Sequence, residues 1–263
     1  MSNTAVEVTI ADQIAQLTIN RPDVRNAIND EVLMGLHDAV EAAALNPDVR
    51  VVVIRGAGKG FSSGVDVSGL AGLGAVDIND RGMHLRELAY KIHRVLYRIE
   101  KIEKPVIAVV HRYCYGLAME LALACDFRVA ETGSKFGLPE VVLGLIPDCG
   151  GTTRLTRAVG VARSKEVLML GDTMTAEKAL EWGVVTRVAA EGELDAVTKD
   201  LTDKLIALPQ RALGLNKRAV DLSASMDETS SLEVEVLLQT AAAVTPDFPE
   251  ILMGGVQALQ SRK

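Results

Sequence analysis

The sequence predicts an α/β fold in which two strands and a helix recur as a unit, with a helical region at the C-terminal end. Residues 6 to 20 alternate apolar and polar side chains, as a hairpin does, whereas residues 32 to 43 repeat apolar side chains at helical spacing. From Asp195 onward the pattern is helical throughout. A chain of 263 residues with 48% apolar content can bury one sizeable core with a helical appendage beside it.

The first unit begins with the hairpin formed by residues 6 to 10 and 14 to 20. Asn29 is a good cap for the helix that follows, and Asn46 with the proline after it ends that helix. The apolar run at residues 50 to 55 comes next. Its continuity is typical of a strand that is buried on both faces.

Later units repeat this order. Apolar residues recur at helical spacing between positions 85 and 102 and predict a long helix, which the strand-like run at 105 to 110 follows. A short buried helix then starts near Gly116, and a strand follows at 127 to 130. Between 69 and 82 there are four glycines and little periodicity, so we expect either a mobile loop beside the site or a solvated loop without a role.

Composition excludes several classes of function. A formal net charge of −7 argues against a nucleic-acid partner, because a phosphate backbone is bound by clustered Lys and Arg. The three cysteines have neither disulfide nor metal-ligand spacing, and the four histidines do not cluster, so we expect no metal and a reduced, cytoplasmic location. The pattern of a signal peptide, basic residues followed by an apolar stretch, does not stand out, and neither does an uncharged apolar stretch long enough to span a membrane. We therefore expect neither secretion nor membrane insertion.

Glu120 is nearly the only polar residue in the run GLAMELALACD. A carboxylate in a buried helix needs a partner or a proton, because burying a bare charge costs several kcal/mol, roughly. The first-turn N–H groups of the same helix have no intrahelical acceptors and can hold a developing oxyanion, and Gly116 keeps their approach open. The alternative is a structural glutamate that a neighbouring backbone group or Arg satisfies.

Glu140 lies twenty residues further on, in FGLPE. Taken alone, it is equally consistent with a site residue and with a satisfied loop carboxylate. A second glycine-rich turn, at residues 56 to 67, follows the strand that ends near Arg55. Because it matches neither the phosphate-loop nor the dinucleotide pattern, we expect no nucleotide there, but a backbone N–H near Val65 that faces a cleft.

Four blocks of sequence stand out along the chain: RPDVRNAI at 21–28, GKGFSSGVDV at 58–67, and the segments 104–126 and 135–160. In their order and spacing they resemble the crotonase, or enoyl-CoA hydratase/isomerase, superfamily. The resemblance implies a crotonase-like spiral of ββα units for residues 1–195. It also implies that the helical region, residues 196–263, covers the acyl-CoA site and builds homotrimers, often paired into hexamers.

The resemblance also implies a mechanism. The backbone N–H groups of Val65 and Leu117 would stabilise the enolate oxygen of a thioester, although relatives often have glycine where Leu117 stands. In hydration of an enoyl-CoA, Glu140 would act as the principal acid/base toward carbon and Glu120 would orient and activate water. The two carboxyl groups must then differ in protonation state, which mutual repulsion favours.

Asp148 keeps a second reaction open. Hydratases of the superfamily usually have glycine at this point, and Asp148 matches an acidic position that dienoyl-CoA isomerases use, although it could also be a turn residue that bonds its own backbone. Hydration ranks first because both glutamates are intact. A non-catalytic acyl-CoA-binding protein is the alternative of another class, and thioester hydrolysis and nucleophilic displacement through Asp148 are weaker enzymatic alternatives.

Coenzyme A is by this resemblance part of the substrate, so we expect no separate cofactor. Arg25 is one cation that could meet a phosphate, and Lys217 or Arg218 on a C-terminal helix could reach one too. The residues expected to contact coenzyme A or the acyl group are Arg25, Asn26, Ala27, Ser63, Gly64, Asp66, Val67, Gly116, Pro139 and Leu143.

Overall fold

A six-stranded sheet lies at the centre of the fold. The computed structural model describes residues 5–68 and 72–261. The strands are β1 (Val6–Ala11), β2 (Ile14–Ile19), β3 (Val51–Gly56), β4 (Val106–Val110), β5 (Tyr113–Tyr115), β6 (Phe127–Glu131), β7 (Lys135–Gly137), β8 (Met174–Thr175) and β9 (Arg187–Ala189).

The strand order of the main sheet is β1-β2-β3-β4-β6-β9, and a smaller sheet has the order β5-β7-β8. β1 and β2 form the predicted antiparallel hairpin, with Val6 opposite Ile19. The other neighbours in the main sheet are parallel. Parallel neighbours need crossover connections, and here the helices supply most of them. The predicted α/β class is therefore confirmed.

Helices cover the sheet and build the C-terminal region. Asn29 caps the first of them as predicted, since its Oδ1 accepts a hydrogen bond from the Val32 N–H at 3.0 Å. The helices are α1 (Asp30–Leu45), α2 (Ile78–Lys101), α3 (Leu117–Ala124), α4 (Gly151–Leu170), α5 (Ala176–Glu181), α6 (Leu194–Ile206), α7 (Gln210–Ser223), α8 (Glu228–Ala243) and α9 (Phe248–Gln260).

The expected loop between 69 and 82 is wrong over its last part. Helix α2 already begins at Ile78, and Asp77 caps it by accepting a hydrogen bond from the Asn79 N–H at 2.9 Å. A glycine inside a helix costs about 1 kcal/mol relative to alanine. Gly82 is tolerated because the helix is long and its later turns pack against α1. Residues 69–71 of the expected loop lie outside the described residues.

Side chains of β3 and β4 are buried on both faces of the sheet, as the continuous apolar runs predicted. One face contributes Val52 and Ile54 to the larger core, which α1 to α4 cover. The other contributes Val51 and Val53 to a second core that α6 completes. Two covered faces hold the ends of β3 and β4 rigidly, and the loops after these strands carry the candidate site.

The C-terminal helices pack partly on the core and partly carry unpaired apolar side chains. Lys217 of α7 is an internal tether, because its Nζ lies 2.9 Å from an Asp126 carboxylate oxygen and 3.1 Å from the Ile99 carbonyl. The proposed boundary at residue 195 stays a prediction. Among the described residues, no helix combines the length and the apolarity that crossing a bilayer requires.

Candidate active site

A cavity of about 360 Å³ lies between α2, α3 and the segment that precedes α4. It brings together the three acidic residues that the sequence singled out, Glu120, Glu140 and Asp148, with Val65 and Leu117. The other lining residues are Leu85, Leu88, Ala89, Ile92, Leu143, Gly144, Leu145, Ile146 and Cys149.

Glu120 lies in the first turn of α3 and is only 3% exposed. Its Oε1 accepts hydrogen bonds from the Cys149 N–H at 2.9 Å and from the Gly151 N–H at 2.7 Å. A Cβ on Gly151 would come within 2.9 Å of this oxygen, so the close approach requires glycine. Backbone groups therefore satisfy one carboxylate oxygen of Glu120. This contact is consistent with a structural glutamate, and it is also consistent with a catalytic glutamate that the two amides hold in place.

Burial raises the pKa of Glu120 to about 7. The Gly151 N–H opposes this rise, and the carboxylates of Glu140 and Asp148 reinforce it. A carboxyl group with this pKa exchanges its proton near neutral pH, which suits an acid/base group.

Glu140 belongs to a 3-10 turn, Pro139–Leu143. Its Oε2 is buried and has no hydrogen-bond partner among the residues that the structure describes. Burial raises the pKa of this carboxyl too, and Asp148 adds to the rise. A Cβ on Gly116 would lie 3.1 Å from Oε1 of Glu140, which places this carboxyl against the start of α3. A buried oxygen without a partner beside a cavity is a group that a ligand can satisfy.

Val65 and Leu117 present backbone N–H groups without protein acceptors in the described part of the chain. Ile28 and Val65 form an isolated parallel β-bridge. In it the Ile28 N–H donates to the Gly64 carbonyl and the Asp66 N–H donates to the Ile28 carbonyl, so the N–H of Val65 points away from Ile28. Leu117 is the first residue of α3, so its N–H has no intrahelical acceptor. The two segments touch, since a Cβ on Gly64 would lie 3.3 Å from Leu117 N.

Asp148 is exposed, unlike the two glutamates, and it lines the same cavity. Its Oδ1 accepts a contact from the Cys149 thiol at 3.4 Å, and its carbonyl oxygen lies 2.7 Å from Nε2 of His93. Burial raises the pKa of the Cys149 thiol well above its ordinary value, so this cysteine stays protonated. Asp148 is therefore a third carboxylate at the cavity, with better access to solvent.

Asn26 and Asp66 were predicted to contact coenzyme A, and their side chains form hydrogen bonds within the protein. Asn26 is 1% exposed, and its amide bonds Arg21 N, Ala57 O and Gly60 O at 2.7 to 3.0 Å. Asp66 accepts from Arg21 at 2.8 Å and from the Ser68 hydroxyl at 2.6 Å. These bonds tie the 21–28 segment to the loop that carries Val65, so the side chains position that loop.

The remaining predicted contact residues surround the same two loops and the cavity. Arg25 is exposed in a left-handed conformation, and its carbonyl accepts from the Ser63 N–H at 3.0 Å. Val67 is exposed and Leu143 lines the cavity. Ala27 and Gly64 are buried, and Ser63, Gly116 and Pro139 are half-buried. Contact of any of them with coenzyme A stays a prediction.

Two features of the site were not predicted from the sequence. Arg21 carried no signal beyond its place in RPDV, yet its guanidinium holds Asp66 and the Ala27 carbonyl. The helical spacing of Leu85, Leu88 and Ile92 was visible, but it predicted only a packing face, whereas these residues line the cavity. The Lys217 side chain is 8% exposed and its Nζ already lies 2.9 Å from an Asp126 carboxylate oxygen, so a phosphate would compete with this internal partner.

The pKa of Glu120 gives a prediction for stability. A carboxyl whose pKa is raised on folding stabilises the folded state below its unfolded pKa of 4.5, and this contribution is lost as the pH rises toward about 7. We therefore expect Glu120→Gln, which mimics the protonated carboxyl, to increase the free energy of unfolding more at pH 8 than at pH 5. The expected difference is about 2 kcal/mol. Urea titrations at both pH values and one protein concentration measure it, and an equal effect at both would contradict the assignment.

A parallel sheet that brings the buried Glu120 and the half-buried Glu140 beside two amides with no acceptor among the described residues is the arrangement of an enzyme of the crotonase fold. The chain belongs to the enoyl-CoA hydratase/isomerase family, whose sequence profile matches residues 9–258. The resemblance drawn from the four sequence blocks is thereby confirmed.

Similarity to known proteins extends over most of the chain. The chain is 37% identical over 227 residues to the crotonyl-CoA hydratase of Syntrophomonas wolfei, with 85% of each chain covered. It is 34% identical to the 2,3-dehydroadipyl-CoA hydratase of Escherichia coli, with 92% of each covered. The crystal structure of an enoyl-CoA hydratase from Bacillus anthracis superposes with a TM-score of 0.88 at 28% identity, over 98% of this chain and 97% of that one.

Proposed function

We propose that this protein adds water across the α,β double bond of an enoyl-CoA thioester. The observation that carries the proposal is the buried, unpartnered Oε2 of Glu140, which lies in the same cavity as Glu120 and the free amides of Val65 and Leu117. Relatives named as hydratases support the same reaction class.

The thioester oxygen gains negative charge when water attacks the β-carbon. The amides of Val65 and Leu117 stabilise that oxygen, and each preorganised donor contributes about 3 kcal/mol to the transition state. Leu117 supplies its N–H as a glycine would, and its side chain fills space above the thioester. The backbone therefore does the electrostatic work, and the acidic side chains are left for proton transfer.

Glu120 and Glu140 divide the proton transfers. Both carboxyl groups have pKa values above the ordinary range, and Glu140 contributes to the rise of the pKa at Glu120. Repulsion between two such neighbouring carboxyl groups favours opposite protonation states. Glu120, fixed by the amides of Cys149 and Gly151, takes the proton of the attacking water. Glu140 delivers a proton to the α-carbon. Opposite protonation states on the two groups make both steps available at once.

Isomerisation of a dienoyl-CoA is the second candidate, and the position of Asp148 in the same cavity favours it. An isomerase moves a proton between two carbons and needs acid/base groups spaced along the chain. Asp148 with Glu140 would provide that pair.

Two substrates distinguish these reactions. The purified protein receives crotonyl-CoA and, separately, a dienoyl-CoA, and the absorbance of the conjugated thioester is followed. Loss of absorbance with crotonyl-CoA supports hydration. A spectral shift with the dienoyl-CoA alone replaces hydration by isomerisation, and no change with either substrate overturns both and favours an acyl-CoA-binding protein.

Changing Asp148 to Gly separates the two reactions further. For hydration we expect kcat on crotonyl-CoA to change less than threefold, roughly, because neither proton transfer uses Asp148, whereas an isomerase loses about 100-fold or more. Asp148→Asn keeps the side-chain volume and shows whether charge or space is responsible. A 100-fold loss of hydration in both variants would contradict the roles given to the glutamates.

The same proposal includes the expected surroundings of the enzyme. The acyl-CoA thioester brings its coenzyme A as part of the substrate, without a further cofactor, and the protein works in the cytoplasm, with neither nucleic acid nor membrane as partner. A homotrimer or a dimer of trimers would cover exposed apolar side chains on α8 and α9, which sedimentation measurements test. These side chains are Leu232, Val236, Leu237, Ile251, Leu252, Met253, Val256 and Leu259.

A further inference from the structure

Much of the remaining lining of the cavity is apolar. Leu85, Leu88, Ala89 and Ile92 lie on one face of α2, at the spacing that brings helical residues into line. Leu143, Leu145 and Ile146 continue this surface toward the exposed edge of the cavity. We call these seven residues the acyl wall.

Every charged side chain among the described residues that line the cavity is acidic. Among its described lining residues, Glu120, Glu140 and Asp148 are the ionisable carboxyl groups, and no Lys, Arg or His is present. Their mutual effect is visible inside the site, because Asp148 helps to raise the pKa of both glutamates. A further anion placed in the cavity would meet the same repulsion.

We propose that this site selects enoyl groups with an uncharged end and rejects enoyl groups that end in a carboxylate. The inference rests on the proposed function, since it concerns the acyl group whose thioester the amides of Val65 and Leu117 bind. A terminal carboxylate would lose its hydration against the acyl wall without gaining a counter-ion, and it would lie in the field of three carboxyl groups. A terminal methyl group has neither penalty and buries apolar surface.

A matched pair of substrates tests the selection directly. trans-2-Hexenoyl-CoA and 2,3-dehydroadipyl-CoA have six acyl carbons and the same double bond, and they differ in a methyl or a carboxylate at the far end. We expect kcat/KM for the wild-type protein to be about 100-fold lower for the carboxylate. A ratio within threefold of one, or an inverted ratio, overturns the inference and leaves the hydratase proposal standing if hexenoyl-CoA is hydrated.

A change in the acyl wall supplies the reverse test. Leu88→Lys places an ammonium group among the apolar residues, and Leu88→Met is the control with a similar unbranched side chain and no charge. The quantity compared is the ratio of kcat/KM for hexenoyl-CoA to kcat/KM for dehydroadipyl-CoA. We expect the charge of Leu88→Lys to reduce this ratio by about tenfold or more, and Leu88→Met to leave it within about threefold of the wild-type ratio. Far-ultraviolet circular dichroism confirms that both variants are folded. Equal ratios in the two folded variants count against the inference.

Binding keeps this test independent of turnover. Hexanoyl-CoA and adipoyl-CoA are saturated, so they bind without reacting, and titration calorimetry gives the dissociation constant of each. At least tenfold tighter binding of hexanoyl-CoA supports charge selection even if no enoyl-CoA is hydrated, in which case the proposed function alone fails. Equal dissociation constants overturn charge selection whatever the activity.

Discussion

We expect Glu140→Gln to lower kcat for the proposed hydration of crotonyl-CoA by about 1000-fold, which is within the range of effects seen when a positioned general acid/base is removed. The glutamine keeps the size of the side chain but cannot carry a proton to the α-carbon. The buried Oε2 has no protein partner among the described residues, so replacing this oxygen breaks no hydrogen bond at that atom. We therefore expect the unfolding temperature to stay the same or to rise.

The control for this variant is Glu166→Gln. Glu166 is exposed near the C-terminal end of α4 and forms an ion pair with Lys178. The control substitution should change kcat less than twofold, roughly, since exposed ion pairs contribute little. Affinity for a saturated acyl-CoA should stay within threefold of wild type in both variants, which separates lost chemistry from lost binding. If Glu140→Gln keeps more than a tenth of the wild-type kcat, Glu140 is not the principal acid/base.

Local patterns predicted much of the fold because local interactions determine those elements. Asn29 caps α1 through an acceptor three residues from its donor, and the alternation on either side of Gln13 fixes the hairpin. The continuous apolar run of β3 predicted burial on both faces, and the two cores confirm it. In each case the sequence distance between the interacting groups is short or the pattern is uninterrupted.

The site depends on contacts that no local pattern encodes. Glu120 accepts from the amides of Cys149 and Gly151, about thirty residues away, so the sequence could show that it needs a partner but not which one. Arg21 reaches Asp66 across forty-five residues. The error at residues 78–82 has a different cause. The Asp77 cap is a local signal, but the glycine content of the segment predicted a loop, whereas the cap and the packing of α2 against α1 favour a helix.

The backbone of the oxyanion loop makes the other strong prediction. Gly64→Ala should lower kcat on crotonyl-CoA by about 100-fold or more, which is the cost of losing one preorganised donor. Gly64 has a φ of +94°, and a Cβ there would lie 2.5 Å from the Tyr115 carbonyl oxygen and 3.3 Å from Leu117 N. Something must move, and both neighbours are backbone, so the amides of Val65 and Leu117 separate. Steady-state kinetics on the folded variant measure the loss.

Gly192→Ala is the matched control, because it has the same kind of backbone strain without the clash. Gly192 has a φ of +78°, and no atom of the described residues would lie within 4 Å of its added Cβ. Both variants should lose about 1 to 3 kcal/mol of unfolding free energy from the left-handed conformation, and Gly64→Ala should lose more. Only Gly64→Ala should lose activity at a temperature where both are folded. Equal kcat values in the two variants would show that the hydration reaction does not depend on the approach of the 63–66 segment to the start of α3.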